Sequence, residues 1–241
     1  MKLGRWLSAG PPRQLRALGG LLRTQQAGAE PAPVAELTNS PLLVSLTGQI
    51  AAHGRCEVLD LGPAVGANVA FFGELHCRLH IADCAAPLLA LKERLVRQDA
   101  AEGGAELSLE AELARLLPLD LDAPLDAILV WDLLNYLDRP LLKALMTHLS
   151  PWVSGDTWLH GYICSRREMT ALPARYRLTS EGRLAITAGS MERCACPAYT
   201  QPDLLNLMPQ FGVSRSTLLP SGMQEYLFRG QGRRDRGSRR A

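Results

Sequence analysis

The chain has 241 residues, a formal net charge of +2 and a hydrophobic fraction of 47%, which suits one folded domain and excludes wholesale disorder. The near-neutral total conceals segregation: residues 1–29 carry +5, residues 229–241 carry +5, and the 15 basic and 23 acidic groups between them give −8. No run of about 18 apolar residues occurs, so no membrane span is expected, and an acidic body argues against a phosphate-tracking nucleic-acid groove.

Residues 1–33, rich in Gly, Pro, Ala, Gln and Arg, read as a mobile basic arm before a domain spanning 34–228. The longest apolar stretch of that arm, Ala17 to Leu22, is too short for a signal-peptide core of roughly 7–15 residues. From Pro41 to Ala52, Leu42, Leu43, Leu46 and Ile50 recur at helical spacing. Residues 56–62 (CEVLDLG) are a short apolar run stopped by glycine, the pattern of a buried parallel strand, and 67–75 follow as a helix. Residues 77–84 (CRLHIADC) predict a second strand ending in an acid, and Leu88, Leu91 and Leu95 mark an amphipathic helix after it.

A short third strand is expected near 105–109. Residues 125–131 form a continuous apolar fourth strand, followed by a helical stripe of Leu141, Leu142, Leu145, Met146 and Leu149 with Pro140 in its first turn. Residues 157–163 read as a fifth strand. Beyond 164 the rhythm changes. Residues 175–187 read as a hairpin around Ser180-Glu181-Gly182, and Thr200 with Asp203 resembles a capping box before a helix at about 201–208. Residues 212–230 give two strands around Pro220-Ser221-Gly222, and 229–241 read as a disordered basic tail. Alternating strands and helices closed by a hairpin predict an α/β fold, mostly parallel with one antiparallel strand.

Six cysteines are scattered at 56, 77, 84, 164, 194 and 196. That spacing suits reduced thiols in a cytoplasmic protein rather than a disulfide scaffold. Cys194-Ala195-Cys196 has no second pair of ligands, so no metal is expected there.

The chemistry concentrates in residues 58–68, VLDLGPAVGAN. A strand carries Asp60 near its end, turns at Gly62 and opens a helix near Gly66. Glycine lets the backbone approach a ligand, and helix-terminal N–H groups receive the ligand's polar atoms. Asp83 ends the next strand, 21 residues after Gly62. A carboxylate there can accept both hydroxyls of a ribose.

This pattern resembles the class I, Rossmann-like S-adenosylmethionine-dependent methyltransferases, whose first motif reads acid-x-Gly-x-Gly-x-Gly. Here it stands as Asp60-Leu61-Gly62-Pro63-Ala64-Val65-Gly66, with Ala64 in place of the middle glycine. The resemblance covers roughly residues 40–228. It implies a seven-stranded sheet with an antiparallel last strand, helices on both faces, and S-adenosylmethionine as cofactor. It also implies roles for particular residues. Gly62, Pro63, Ala64 and Gly66 would lie under the methionine moiety, with Asp60 facing its amino group. Asp83 would hold the ribose, Cys84 would lie beside the adenine, and Glu110 near the adenine amine. Trp131 and Asp132 would stand where the fourth strand meets cofactor and substrate. Each has a purely structural counterpart: Asp60 as a helix cap, Asp83 as a turn acid, Trp131 as core, the two glycines as a turn without a ligand.

Methyl transfer needs alignment and exclusion of water more than it needs acid–base chemistry. A base is required only where the acceptor is protonated. Candidate catalytic residues at the strand ends are Asp132 and Tyr136 after the fourth strand and His160 on the fifth, with Asn135 as a substrate contact. Segment 164–200 is the expected substrate-side insertion, with Pro173, Tyr176 and Tyr199 as lining. The expected acceptor is a small molecule or a protein, with nucleic acid disfavoured, although the basic ends leave RNA contact as an alternative. A non-catalytic, methyltransferase-like binding module remains open, because Ala64 departs from the motif and no catalytic signature follows the fourth strand.

Overall fold

Apolar side chains alternate between the two faces of the central strands, and each face builds its own core. The structure is a computed structural model and describes residues 35–99, 108–179 and 183–232. In chain order its elements are β1 (Glu36–Asn39), α1 (Pro41–His53), β2 (Cys56–Asp60), α2 (Gly66–Glu74), β3 (Cys77–Ile81) and α3 (Ala85–Asp99). Then come α4 (Leu109–Leu116), β4 (Ala127–Trp131), α5 (Arg139–Leu149), β5 (Trp158–Cys164), β6 (Glu168–Thr170), β7 (Arg175–Leu178) and β8 (Arg183–Thr187). The last are β9 (Arg193–Ala195), α6 (Gln201–Leu207), β10 (Phe211–Leu218) and β11 (Met223–Gly230).

The main sheet runs β10-β11-β5-β4-β2-β3. The pairs β2–β3, β2–β4 and β4–β5 are parallel, while β11 is antiparallel to both β5 and β10. This is the expected Rossmann-like α/β arrangement with a terminal antiparallel hairpin. On β4, Ile128 and Val130 point into a core shared with α3, α4, α5 and α6. Ala127, Leu129 and Trp131 point into the other, shared with α1, α2 and β7. Burial on both faces explains why β4 reads as an unbroken apolar run.

Four details differ from expectation. The sheet has six strands among the described residues. The strand expected at 105–109 is not formed at its described end: Ser108 caps α4, its Oγ accepting the Ala111 N–H at 3.3 Å, and 105–107 lie outside the described residues. The 175–187 hairpin exists as β7 and β8, but it pairs with β1 in a separate sheet of order β1-β8-β7. Arg229 and Gly230, read from sequence both as the end of the last strand and as the start of the tail, complete β11. Arg229 pairs with Asp156 and lies over the Trp158 ring, 4.3 Å from its centroid. The 1–33 arm and residues 233–241 lie outside the described residues. Among the described residues no helix is long and apolar enough to cross a membrane.

The Thr200–Asp203 capping box forms in both directions at the start of α6, as two oxygen-bearing side chains three residues apart allow. The β10–β11 turn places Gly222 at φ 79°, a conformation natural to glycine.

Candidate functional site

Strand order reverses at β2, whose neighbours β3 and β4 are fed by crossovers in opposite directions. Open α/β sheets bind ligands outside the carboxyl ends of strands at such a point. Asp60 ends β2, and Trp131 and Asp132 end β4, so the sequence candidates converge there.

Asp60 is buried. Its Oδ1 accepts the Gly62 N–H at 2.8 Å and the Trp131 indole N–H at 2.6 Å. Burial pushes the carboxyl up from its ordinary value, and the bonds from Trp131 and Gly62 oppose the rise. A Cβ on Gly62 would stand 2.8 Å from the indole Cδ1 and Nε1, so the glycine is required by Trp131 itself. At Gly66, where α2 begins, the space around a Cβ is open. Pro63 is half-buried and Ala64 exposed.

Asp83 follows β3 with φ 39° and an exposed side chain, and its N–H donates to the Gly62 carbonyl at 3.2 Å. Left-handed backbone is uncommon outside glycine and is best tolerated by Asn and Asp. Cys84 turns inward instead. Its thiol lies on the Leu61 carbonyl in the core, and burial raises its pKa to about 12. Glu110 is an exposed residue in the first turn of α4.

Trp131 owes its direction to a bulge. The β4–β5 register slips between Leu129 and Trp131, and Trp131 takes φ 47°. Gly161 opposite makes room, since a Cβ there would meet Val130 Cγ2 at 2.5 Å. Bulges re-aim side chains near sites, and a left-handed non-glycine residue costs about 1–3 kcal/mol. The re-aimed indole stacks on Tyr176 of β7 (centroids 5.0 Å apart, planes at 10°), and Tyr176 stacks on Tyr162 of β5 (5.2 Å, 7°). Asn68 of α2 locks β7 in place. Its Nδ2 donates to the Tyr176 carbonyl at 3.0 Å, and its Oδ1 accepts the Leu178 N–H at 2.8 Å.

Asp132 is 5% exposed. Its Oδ2 accepts the Ala174 N–H at 3.0 Å, and among the described residues its Oδ1 has no partner. Burial raises this carboxyl to about 7. Asn135 is fully used: Nδ2 donates to the carbonyls of Asp132 and Tyr162, and Oδ1 accepts the Cys164 N–H. The Tyr136 hydroxyl donates to the Leu172 carbonyl at 2.9 Å and lies 3.0 Å from Thr170 Oγ1, tying the 3-10 turn Leu133–Tyr136 to the inserted segment. Tyr199 packs into the core, its hydroxyl donating to the Leu137 carbonyl.

His160 lies elsewhere. It is fully buried, with Nε2 2.9 Å from Oε1 of Glu225 on β11. The same oxygen accepts Ser40 Oγ–H at 2.5 Å and the N–H groups of Leu42 and Leu43, so Glu225 caps α1 from across the sheet. Burial pushes the Glu225 carboxyl up, but bonds from His160 and Ser40 hold it below its ordinary value. This geometry makes His160 part of a buried structural knot. Sequence reading missed Glu225, Ser40 and Asn68, whose partners are 65 to 185 residues away or on an inserted strand.

No protein-family profile matches the sequence, and no curated protein matches it. Among solved structures, the chain is similar to the 1,6-didemethyltoxoflavin-N1-methyltransferase of Burkholderia thailandensis with bound 1,6-didemethyltoxoflavin and S-adenosylhomocysteine. The identity is 19%, the TM-score 0.42, and 78% of each chain is covered. It is also similar to an S-adenosylmethionine-dependent methyltransferase of Clostridium acetobutylicum at 12% identity and TM-score 0.43, covering 81% of this chain and 93% of that one. A third is the magnesium protoporphyrin IX methyltransferase of Synechocystis with bound SAM, at 12% identity, TM-score 0.42 and 79% coverage of both.

Proposed function

We propose that the chain binds S-adenosylmethionine across the carboxyl ends of β2 and β3 and transfers its methyl group to a small-molecule or protein acceptor. One observation carries the reading: the Asp60–Gly62 turn, the open start of α2 and the exposed, left-handed Asp83 share one rim at the point of strand reversal. The nucleoside end fits, because Asp83 offers a solvent-facing carboxylate for two hydroxyls and nothing crowds Gly66. At the methionine end the Trp131 indole covers Gly62, so that half fits only with the indole displaced.

When bound, the cofactor supplies an activated methyl and its own leaving group. The chain's residues do the rest. Asp83 would hold the ribose, Asp60 would draw the cationic end, and the inserted segment 164–200, through Tyr176, would keep water from the reacting end. Asp132 and Tyr136 face the acceptor side in this reading. The acidic body disfavours nucleic acid as acceptor, and scattered cysteines support a cytoplasmic location.

Calorimetry with S-adenosylmethionine and S-adenosylhomocysteine tests the proposal. Both should bind the native chain, and Asp83→Asn should lose most of that affinity. A second reading, a binding module without catalysis, is favoured by the same Trp131–Gly62 contact. It predicts no heat with the native chain and binding only after Trp131→Ala.

A further inference from the structure

Between the end of β4 and the inserted segment lies a cavity of about 250 Å³. Asp132, Tyr136 and Tyr176 line it on the sheet side, and Met169 and Met223 form apolar walls. Asp132 is 95% buried, and its Oδ1 meets no donor among the described residues. The neighbouring polar groups are already committed. Asn135 spends its amide on backbone groups, the Tyr136 hydroxyl gives its proton to Leu172, and the Tyr176 hydroxyl lies against the Asp132 carboxyl without meeting Oδ1. A buried carboxylate oxygen without a donor is costly unless something outside the fold supplies one. A cavity against that oxygen is where such a donor can enter.

We propose that this cavity binds a small amine or N–H heterocycle whose N–H donates to Asp132 Oδ1 while its apolar body rests on Met169 and Met223. Methionine walls adapt to irregular apolar shapes. The volume is below the usual range of drug-sized sites, so the ligand is small. The rim carries both signs, Arg166 and Arg193 against Glu36 and Glu168, and so selects no net charge at the outer end. The proposal rests on the proposed function for its acceptor side, where Asp132 and Tyr136 stand, but not on the cofactor end, because no residue of the Asp60–Asp83 rim lines the cavity.

The test is an amide-resolved NMR titration of the labelled full chain with benzylamine and, in parallel, with phenylacetate, a similar body with the opposite charge. Benzylamine should move the Ala174 amide, whose N–H holds the other oxygen of Asp132. Phenylacetate should leave it in place. Asp132→Asn should weaken benzylamine binding ~10-fold or more. Met169→Trp fills the cavity from its wall without altering the carboxylate, and should abolish the response. Equal movement with both probes, no movement with benzylamine, or unchanged binding in either variant overturns the proposal. Cofactor calorimetry reads different residues, so its failure bears only on the methyltransferase reading.

Discussion

Two buried carboxylates near the carboxyl end of the sheet have opposite lives. Glu225 Oε1 collects donors from Ser40, Leu42, Leu43 and His160, joining β5, β11 and α1 into one knot. Asp132 takes the Ala174 N–H on Oδ2, has the Tyr136 and Tyr176 hydroxyls beside its carboxyl, and keeps a bare Oδ1 against a cavity. Hydrogen bonds favour the charged form and bare burial disfavours it, so the first carboxyl lies below its ordinary pKa and the second is raised to about 7. The contrast teaches what a buried acid is for. The one whose Oε1 is filled by four donors of its own chain holds structure, although its Oε2 also has no partner among the described residues, while the one whose bare oxygen faces a cavity is available to a ligand.

The sharpest way to break this contrast is at the knot. Glu225→Ala strands His160 and the first N–H groups of α1, and should cost ~3–5 kcal/mol in urea unfolding. His160→Gln should lower stability without moving the pH profile of any activity. A loss under about 0.5 kcal/mol for Glu225→Ala would erase the distinction.

Gly62→Ala comes next. It drives a Cβ into the indole and should cost ~1–3 kcal/mol. Most of that cost should vanish in a Trp131→Ala background, a double-mutant cycle that shows whether the indole is the obstacle.

A smaller effect appears on titration. Asp132 has a folded pKa raised from 3.8 to about 7, so its contribution to stability is complete below 3.8 and is lost as pH rises through about 7. Asp132→Asn should flatten the unfolding midpoint over that window. The slope that remains includes Asp60, which is raised for the same reason. A slope unchanged in Asp132→Asn would show that this carboxyl is not held neutral. Smallest of all, Asp83→Asn keeps a residue suited to left-handed backbone on an exposed turn, and should change stability by less than about 0.5 kcal/mol while removing nucleoside affinity.

Much of this was legible in the sequence for local reasons. A short apolar run marked β2 and an unbroken one β4, glycines marked the turn after β2, and the Thr200–Asp203 spacing marked the start of α6. What escaped depends on distant partners. The direction of Trp131 is set by a bulge that Gly161 permits thirty residues later. His160 looked like a base because nothing local shows that Glu225 will reach it. The β7–β8 hairpin was readable, but its pairing with β1, some 150 residues earlier, was not. Ser108 read as part of a strand, yet an oxygen-bearing side chain before Leu109 is equally a helix start.

Asn68 ties these regions together mechanically. One side-chain amide imitates a neighbouring strand for β7, occupying the edge at Tyr176 and Leu178 that another chain would otherwise extend. It does so from the first turn of α2, directly behind the glycine loop. Lifting the hairpin off the crevice must therefore break both amide bonds or drag that turn along with it. The Leu178 amide proton becomes a clock for opening: its rate of exchange with deuterium measures how often the aromatic stack parts. A ligand that wedges the stack open should quicken that clock, and one that enters beneath it should slow it.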